Sequence, residues 1–351
     1  MPEPADVPGN DRAPGRPRGG RRAAILLTIL FVTSMHPSPA FPLRGVSVVR
    51  LISALRALGH RVELFELGAG SGAVGYVRAR GRVAEAIRIL LPDVLHVHYG
   101  PCGLAVPRTD VPIVTTFVGD DLNGTPNRSG RTTWKSRVGI LLSHYAARRS
   151  RRCIAVSASL RSRLRSAVLR KKTVVIRDAV DPELFQPLPR AAARERLGLP
   201  PDAVLVMFPH DTTQPTKRLW LAEAAVAELR RHVPAAQLWA VNGKPPDEMP
   251  WHYAAADAMI VTSLREGGPS SVKEALACGI PVVSVAVGDT DLFGEVPERI
   301  RVAAANAGAL AAALHDALKM PRERRSLLPP GLGLREAAQA VVAVYRQAMA
   351  P

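Results

Sequence analysis

Cysteine, aromatic side chains and acidic charge are all scarce in this chain. Its three cysteines, Cys102, Cys153 and Cys278, stand far apart and match no CxxC or Cys/His ligand spacing. That excludes a disulfide framework and an evident zinc site, and it fits a reducing cytoplasm. The three read as small buried hydrophobes. Aromatics make up 5% of 351 residues, against 47% hydrophobic overall. The cores must therefore rest on Ala, Val, Leu and Ile, which suits helices layered on both faces of aliphatic strands. No apolar run approaches the roughly 20 residues of a membrane span. No GxSxG elbow and no GxxxxGKS or GxxxxGKT loop occurs, which argues against hydrolase and NTPase chemistry.

Acids are outnumbered, 30 against 47 Lys and Arg, for a formal net charge of +17. Such an excess attracts nucleic acid, anionic membrane surfaces or phosphorylated ligands without choosing among them. Arginines cluster at Arg148, Arg149, Arg151 and Arg152, and again at Arg161, Arg163, Arg165 and Arg170, followed by Lys171 and Lys172. No aromatic residue interleaves with the second cluster, so a base-stacking surface is poorly supported and no nucleic-acid partner is expected. A solvated helical face and a patch for an anionic membrane surface both remain open.

Residues 1–20 are rich in Pro, Gly, Arg and Asp and read as a disordered leader. Arg21-Arg22 and the apolar run from Ala23 to Val32 imitate a secretory signal, the twin-arginine type included. A buried first strand of a parallel sheet is the favoured reading, because an amphipathic helix and a second strand follow in βαβ order. That helix is expected from about residue 45 to 58, with Val48, Val49, Ile52, Leu55 and Leu58 as its stripe and Gly59 as its stop. Strands are expected at 60–65, 93–98, 113–117, 153–157 and 173–176, with a helix near 76–90. Pro182, Pro187, Pro189, Pro200 and Pro201 mark a linker over 182–202. A second series follows, with strands at 203–208, 237–241, 258–262 and 281–285 and helices at 218–231 and 271–277. An amphipathic last helix at about 334–349 could reach back to the first domain. The fold class is thus α/β, two Rossmann-like doubly wound domains facing a central cleft, spanning 21–186 and 187–333, with 334–351 packing back on the first.

Ligands of an open parallel sheet bind beyond the carboxyl ends of its strands. The most informative such loop runs from Ser263 to Glu274, where a strand ends in Gly267-Gly268-Pro269-Ser270-Ser271 and a helix begins. Helix-start amides and the dipole suit phosphate or polarised hydroxyls, and the two glycines would admit a ligand close to the backbone. Glu266 stands on the loop and Glu274 one turn into the helix. Ser271-x-x-Glu274 equally fits a capping box, which needs no ligand. Gly45 reads either as a ligand-approach glycine or as a turn glycine. His96 and His98 alternate on one strand face; with no third ligand nearby they read as packed or cleft-lining rather than as a zinc site. Asp289-Thr290-Asp291 imitates a metal-binding DxD and Asp120-Asp121 carries turn chemistry; both are read without a metal.

Residues 253–257, 262–269 and 273–283 together resemble the signature of the family 4 retaining glycosyltransferases of the GT-B fold. Further likeness lies at 93–100, 112–122, 154–164, 179–187 and Tyr345-Arg346, so the resemblance covers most of the chain from about residue 22. It implies an N-terminal acceptor domain and a C-terminal donor domain. It also implies that Glu266 contacts the donor sugar, Glu274 the ribose hydroxyls, and Gly267, Gly268, Pro269, Ser270 and Ser271 the sugar or phosphate oxygens. Lys217 matches the lysine that neutralises the donor pyrophosphate. The family's arginine a few residues upstream is missing, and Arg218 or His210 stand as its substitutes. Where many members carry a histidine this chain has Val118, leaving His98 or Asp120 to supply a polar contact in the sugar or acceptor cleft beside Gly45.

The expected activity is retaining, metal-independent transfer from a UDP- or GDP-sugar to an envelope or exported polysaccharide acceptor, which a lipid could carry. Positive charge at Lys217 and Arg218 would stabilise the departing phosphate, attack would come on the face the leaving group departs from, and Glu266 is not a covalent nucleophile. No cofactor is expected beyond the nucleotide-sugar substrate. The expected location is cytoplasmic, with the inner face of the plasma membrane as a candidate docking surface. The rival readings are a sugar-nucleotide epimerase or phosphorylase on the same fold, and a non-catalytic polyanion-binding protein.

Overall fold

The computed structural model of the chain describes residues 26–38, 44–68, 72–125, 132–289, 299–321 and 325–350. The expected leader, and Thr290 and Asp291 of the DxD imitation, lie outside the described residues. A six-stranded sheet is built from β1 (Thr28–Thr33), β2 (Arg61–Glu66), β3 (Val94–His98), β4 (Ile113–Phe117), β5 (Arg152–Ala155) and β6 (Thr173–Val175), in the order β2-β1-β3-β4-β5-β6. A five-stranded sheet is built from β7 (Val204–Phe208), β8 (Ala236–Ala240), β9 (Ala258–Val261), β10 (Val282–Val285) and β11 (Ile300–Ala303), in the order β11-β10-β9-β7-β8. Neighbouring strands in both pair in parallel. The two orders coincide over five strands when one is read from the opposite end, so each sheet has the same switch point: β1 against β3, and β7 against β9. Crevices open at such points because the following loops leave toward opposite faces.

Successive strand residues face opposite sides, and both faces here are covered. Ile29 and Phe31 of β1, with Val94 of β3, pack against Ala338, Val341, Val342 and Tyr345 of the helix Leu334–Met349. Leu30 and Val32, with Leu95 and Val97, pack on the other side against Tyr76 and Val83. The last helix therefore crosses back and completes the core of the first sheet, as its sequence pattern indicates. His96 is fastened to it, with one ring nitrogen bonded to the Tyr345 hydroxyl at 2.5 Å and the other to Thr116 Oγ1 at 2.8 Å. Both nitrogens are used, which fits the packed reading of that histidine. The second sheet has one contiguous core on which the helices Leu219–Leu229, Ser270–Ala277 and Ala307–Leu318 pack.

Several expectations need correction. The Pro-rich stretch 182–202 is not a bare linker, since it holds the helix Arg190–Leu197. Arg194 in that helix is buried and binds Asp257 Oδ2 at 2.7 Å and the Ala203 carbonyl at 2.7 Å, which fixes the helix to the second sheet. Within the stripe of Val46–Ala57, Val48, Ile52 and Leu55 are buried while Val49 is exposed. The helix expected near 76–90 is two, Gly72–Arg78 and Arg80–Leu90, broken at Ala79. The long helix Trp134–Arg149 and the terminal pair of β11 and Ala307–Leu318 were not expected. All three cysteines are free and buried.

Candidate active site

The loops that follow β7 and β9 meet because those strands are neighbours at the switch point. Leu264 N donates to the Thr216 carbonyl at 2.7 Å, and Thr262 Oγ1 to the Lys217 carbonyl at 2.8 Å. This lacing brings Lys217 Nζ to 2.7 Å from Glu266 Oε1. Burial works to raise the Glu266 carboxyl, but the Lys217 ammonium, by its charge and its hydrogen bond, outweighs it and holds it below the ordinary glutamate value. The pair is ionised and only partly exposed, so its field is weakly screened.

Lys217 and Glu266 form one wall of a cleft of about 380 Å³ between the two sheets. The opposite wall comes from the first sheet's loops: Met35 after β1, Tyr99 after β3, and Val118, Gly119 and Asp120 after β4. A second cavity of about 200 Å³ lies past the glycine turn, lined by Arg50, Lys244, Tyr253, Ser271 and Glu274 among others. Both Glu274 oxygens are taken there. Arg50 Nη1, from the first domain, donates to Oε1 at 2.8 Å, and the Tyr253 hydroxyl donates to Oε2 at 2.9 Å. Burial and the Glu274 charge push the Tyr253 hydroxyl well above its ordinary value, so it remains a donor. The capping-box reading of Glu274 is thereby excluded: the helix Ser270–Ala277 starts after Pro269 with no side-chain cap, which leaves its first amides open toward the turn.

The glycine turn is shaped by protein as much as by any ligand. A Cβ at Gly267 would stand 2.0 Å from the Val118 carbonyl oxygen, and one at Gly268 would stand 2.9 Å from Asp289 Oδ2. The two glycines let this turn dock against the first domain. Arg265 Nη1 supports that docking with a 3.1 Å bond to the Asn123 carbonyl. Asp289 itself is fully buried and lies 2.9 Å from Lys273 Nζ, so the first carboxylate of the DxD imitation is in an ion pair beneath the turn.

Four of the residues singled out in sequence are placed differently from expectation. Arg218 adopts φ +52° and spends its guanidinium on the Thr262 and Ser263 carbonyls, so it braces the loop and does not face the cleft. His98 is buried beside a small cavity of about 40 Å³ facing Arg177 and Asp178, on the side of the terminal helix. Gly45 is a turn glycine: it caps the helix Val46–Ala57 with φ +69°, and a Cβ would meet the Met35 carbonyl oxygen at 2.2 Å. His210 stacks edge-on against Phe208; burial and then Lys217 lower it to about 4, so it is neutral and cannot replace the missing arginine's charge. Asp120 does line the cleft. Its neighbour Asp121 is buried and accepts from the amides of Gly100, Val118 and Gly119, which holds two cleft loops together. Arg50, Tyr253 and Asp121 were missed as site residues. Tyr253 lies in the signature stretch, whereas no local pattern marks Arg50.

This arrangement, two like-ordered α/β domains with paired carboxylates and a lysine at the rim of the second, defines a class. Residues 45–184 match the family described as Glycosyltransferase Family 4, and residues 229–328 match Glycosyl transferases group 1. A D-inositol 3-phosphate glycosyltransferase of Frankia alni is 30% identical across 74% of this chain and 75% of its own length. The chain belongs to the family 4 glycosyltransferases. With other curated relatives of the same name the alignment spans about a third of their length. Among solved structures, sucrose-phosphate synthase from Thermosynechococcus elongatus superposes with a TM-score of 0.71 at 20% identity, over 91% of this chain and 97% of that one. Anabaena HepE in complex with UDP and glucose superposes with a TM-score of 0.60 at 17% identity, over 92% of this chain and 98% of that one. Both share the GT-B fold.

Proposed function

We propose that the chain transfers a sugar, with retention and without a metal, from a UDP- or GDP-sugar to an envelope or exported polysaccharide acceptor carried on a lipid. The observation that carries the reading is the Lys217–Glu266 pair, 2.7 Å apart on the 380 Å³ cleft and one residue from the glycine turn. The nucleoside lies in the second cavity with its ribose hydroxyls at Glu274, and the sugar lies in the first cavity at Glu266. Lys217 and the open amides of Ser270–Ala277 lie toward the diphosphate. Departure of the nucleotide concentrates negative charge on the leaving phosphate, where preorganised cations and amides act most strongly. The acceptor enters from the first domain's wall, past Tyr99 and Asp120, on the same face the phosphate leaves.

Thermal stabilisation of the purified chain by a panel of nucleotides and nucleotide sugars identifies the donor, since a ligand of the folded state raises apparent stability by mass action. Labelled donors then report transfer or slow hydrolysis. Absence of stabilisation by every donor, together with absence of turnover, overturns the proposal. An epimerised or phosphate-cleaved product replaces it with another reaction on the same site.

A further inference from the structure

The helix Trp134–Arg149 turns an apolar stripe outward. Trp134, Val138, Leu141 and Tyr145 recur at spacings of four, three and four residues, which places them on one face, and they are 71%, 39%, 55% and 38% exposed. A surface helix of a globular protein has the reverse pattern, with its apolar stripe toward the core. Here Ser143, His144, Ala146 and Ala147 take the core side. The outward stripe is flanked by exposed Lys135, Arg137 and Arg148.

The stretch of chain that carries the stripe has charge of one sign, while Asp120 lies at the helix start through its bond from Thr125. From Leu122 to Arg177 the chain contains no Asp or Glu and fifteen Lys or Arg. Two contacts bring more of that charge alongside the helix. Arg165 N lies 3.3 Å from His144 Nε2, and Lys172 Nζ bonds the Ser150 carbonyl at 2.6 Å. The helix is also tied to the cleft. Thr125, which lines it, donates its amide to Ser136 Oγ at 2.6 Å in the first turn.

We infer that this face docks on an anionic phospholipid bilayer, with the Trp134, Val138, Leu141 and Tyr145 stripe at the acyl boundary and the flanking cations on the headgroups. An apolar face with Trp and Tyr, rimmed by Lys and Arg and free of acids, has the composition of an interfacial helix. Headgroup charge adds attraction for each nearby cation. Nucleic acid would use the cations but leaves Val138 and Leu141 without a role. The geometry also sets the mouth of the cleft, at Thr125, beside the bilayer. This deepens the lipid-carried acceptor of the proposed function, but the assay below needs neither donor nor acceptor, so the two readings fail separately.

The test is co-sedimentation of the full chain with vesicles of phosphatidylcholine alone and of equimolar phosphatidylcholine and phosphatidylglycerol. Binding is expected to the anionic vesicles only, and it should weaken but persist as salt screens the cationic part. The double substitution Trp134→Ser/Leu141→Ser should lower binding roughly tenfold or more, with the circular dichroism and melting temperature of the parent. Trp134→Phe should keep binding while removing the fluorescence quenched by brominated lipid. Failure to bind anionic vesicles overturns the inference. So does unchanged binding by the double variant, and so does complete displacement by duplex DNA that the double variant shares, since charge alone then explains the association.

Discussion

The two sheets have one topology and two different rims. At the switch point of the second sheet, the loops after β7 and β9 carry an ionised lysine and glutamate 2.7 Å apart, with a second carboxylate on the following helix. At the same point of the first sheet, the loops after β1 and β3 present Met35, Arg44 and Tyr99, with His98 buried and lowered to about 4. Identical strand order therefore fixes where a crevice opens but not what it binds. The Lys217–Glu266 rim is the one to which the proposed function gives the donor, and it gives the opposite rim to the acceptor. The sharpest way to break this division is at the charged rim. Glu266→Ala and Lys217→Ala should each lower turnover by about 10²-fold or more, the scale seen when one preorganised electrostatic group is lost, with far-ultraviolet circular dichroism unchanged. A comparable loss from His98→Leu would erase the distinction between the rims.

His98 should matter instead for stability. Burial lowers it to about 4 from an ordinary value near 6.5. The unfolded chain therefore takes up the proton first as pH falls, so the stabilisation is complete above about pH 6.5 and is lost progressively down to about pH 4. That gap corresponds to roughly 3 kcal/mol at full effect. Asp121 works in the opposite direction. Burial raises it to about 6, so its protonation over the same window relieves a strain that is present at neutral pH. Melting temperatures of wild type and His98→Leu at pH 7 and pH 5 check the balance. Wild type should lose more on acidification, and the variant's curve should be flatter.

The turn that joins the two rims is the next place to press. In Gly267→Ala the new methyl would sit 2.0 Å from the Val118 carbonyl oxygen, and backbone cannot yield as a side chain can. The variant should separate the β4 and β9 loops at a cost of about 1–3 kcal/mol. Reduced transfer with a widened particle in small-angle scattering would report it, whereas a fully active, equally compact variant would show that the docked turn is dispensable.

How much of this was legible in sequence varies with the range of the interactions involved. Parallel strands buried on both faces announce themselves as apolar runs, so β1, β4 and β7 stood out, and Ala337, Val341, Ala348 and their neighbours betrayed the last helix by period. The helix Trp134–Arg149 hid because its apolar residues face outward, so its pattern points to the wrong side. Arg190–Leu197 hid among prolines; buried Arg194, which holds it, finds its carboxylate partner in Asp257, 63 residues on. The Glu266 and Glu274 loop was readable because signature, turn and helix start are contiguous. Arg50 was not, since its partner Glu274 lies 224 residues away. His98 and Arg218 stood in for family residues this chain lacks and Gly45 for a helix-start glycine, and rotation about the strand or the loop's own carbonyls decided otherwise.

Arg50 also offers the finest probe of the two rims, because from the first domain it reaches Glu274 on the rim of the second. Glu274→Gln keeps an acceptor for the Tyr253 hydroxyl but removes the charge that Arg50 pairs with at 2.8 Å. A hydrogen bond to a charged group is worth about 1.5–3 kcal/mol, and the ribose, if held there, loses an anionic acceptor for its hydroxyls. KM for the donor should then rise about tenfold or somewhat more while kcat changes little, because the ribose is bound alike in ground and transition states. Glu266→Ala should show the opposite split, with its loss mainly in kcat. If both variants lower kcat equally, the two carboxylates act as one catalytic unit and the assignment of one cavity to the nucleoside and the other to the sugar is wrong. If Glu274→Gln leaves KM untouched, Glu274 serves only to hold Arg50 and the first domain closed.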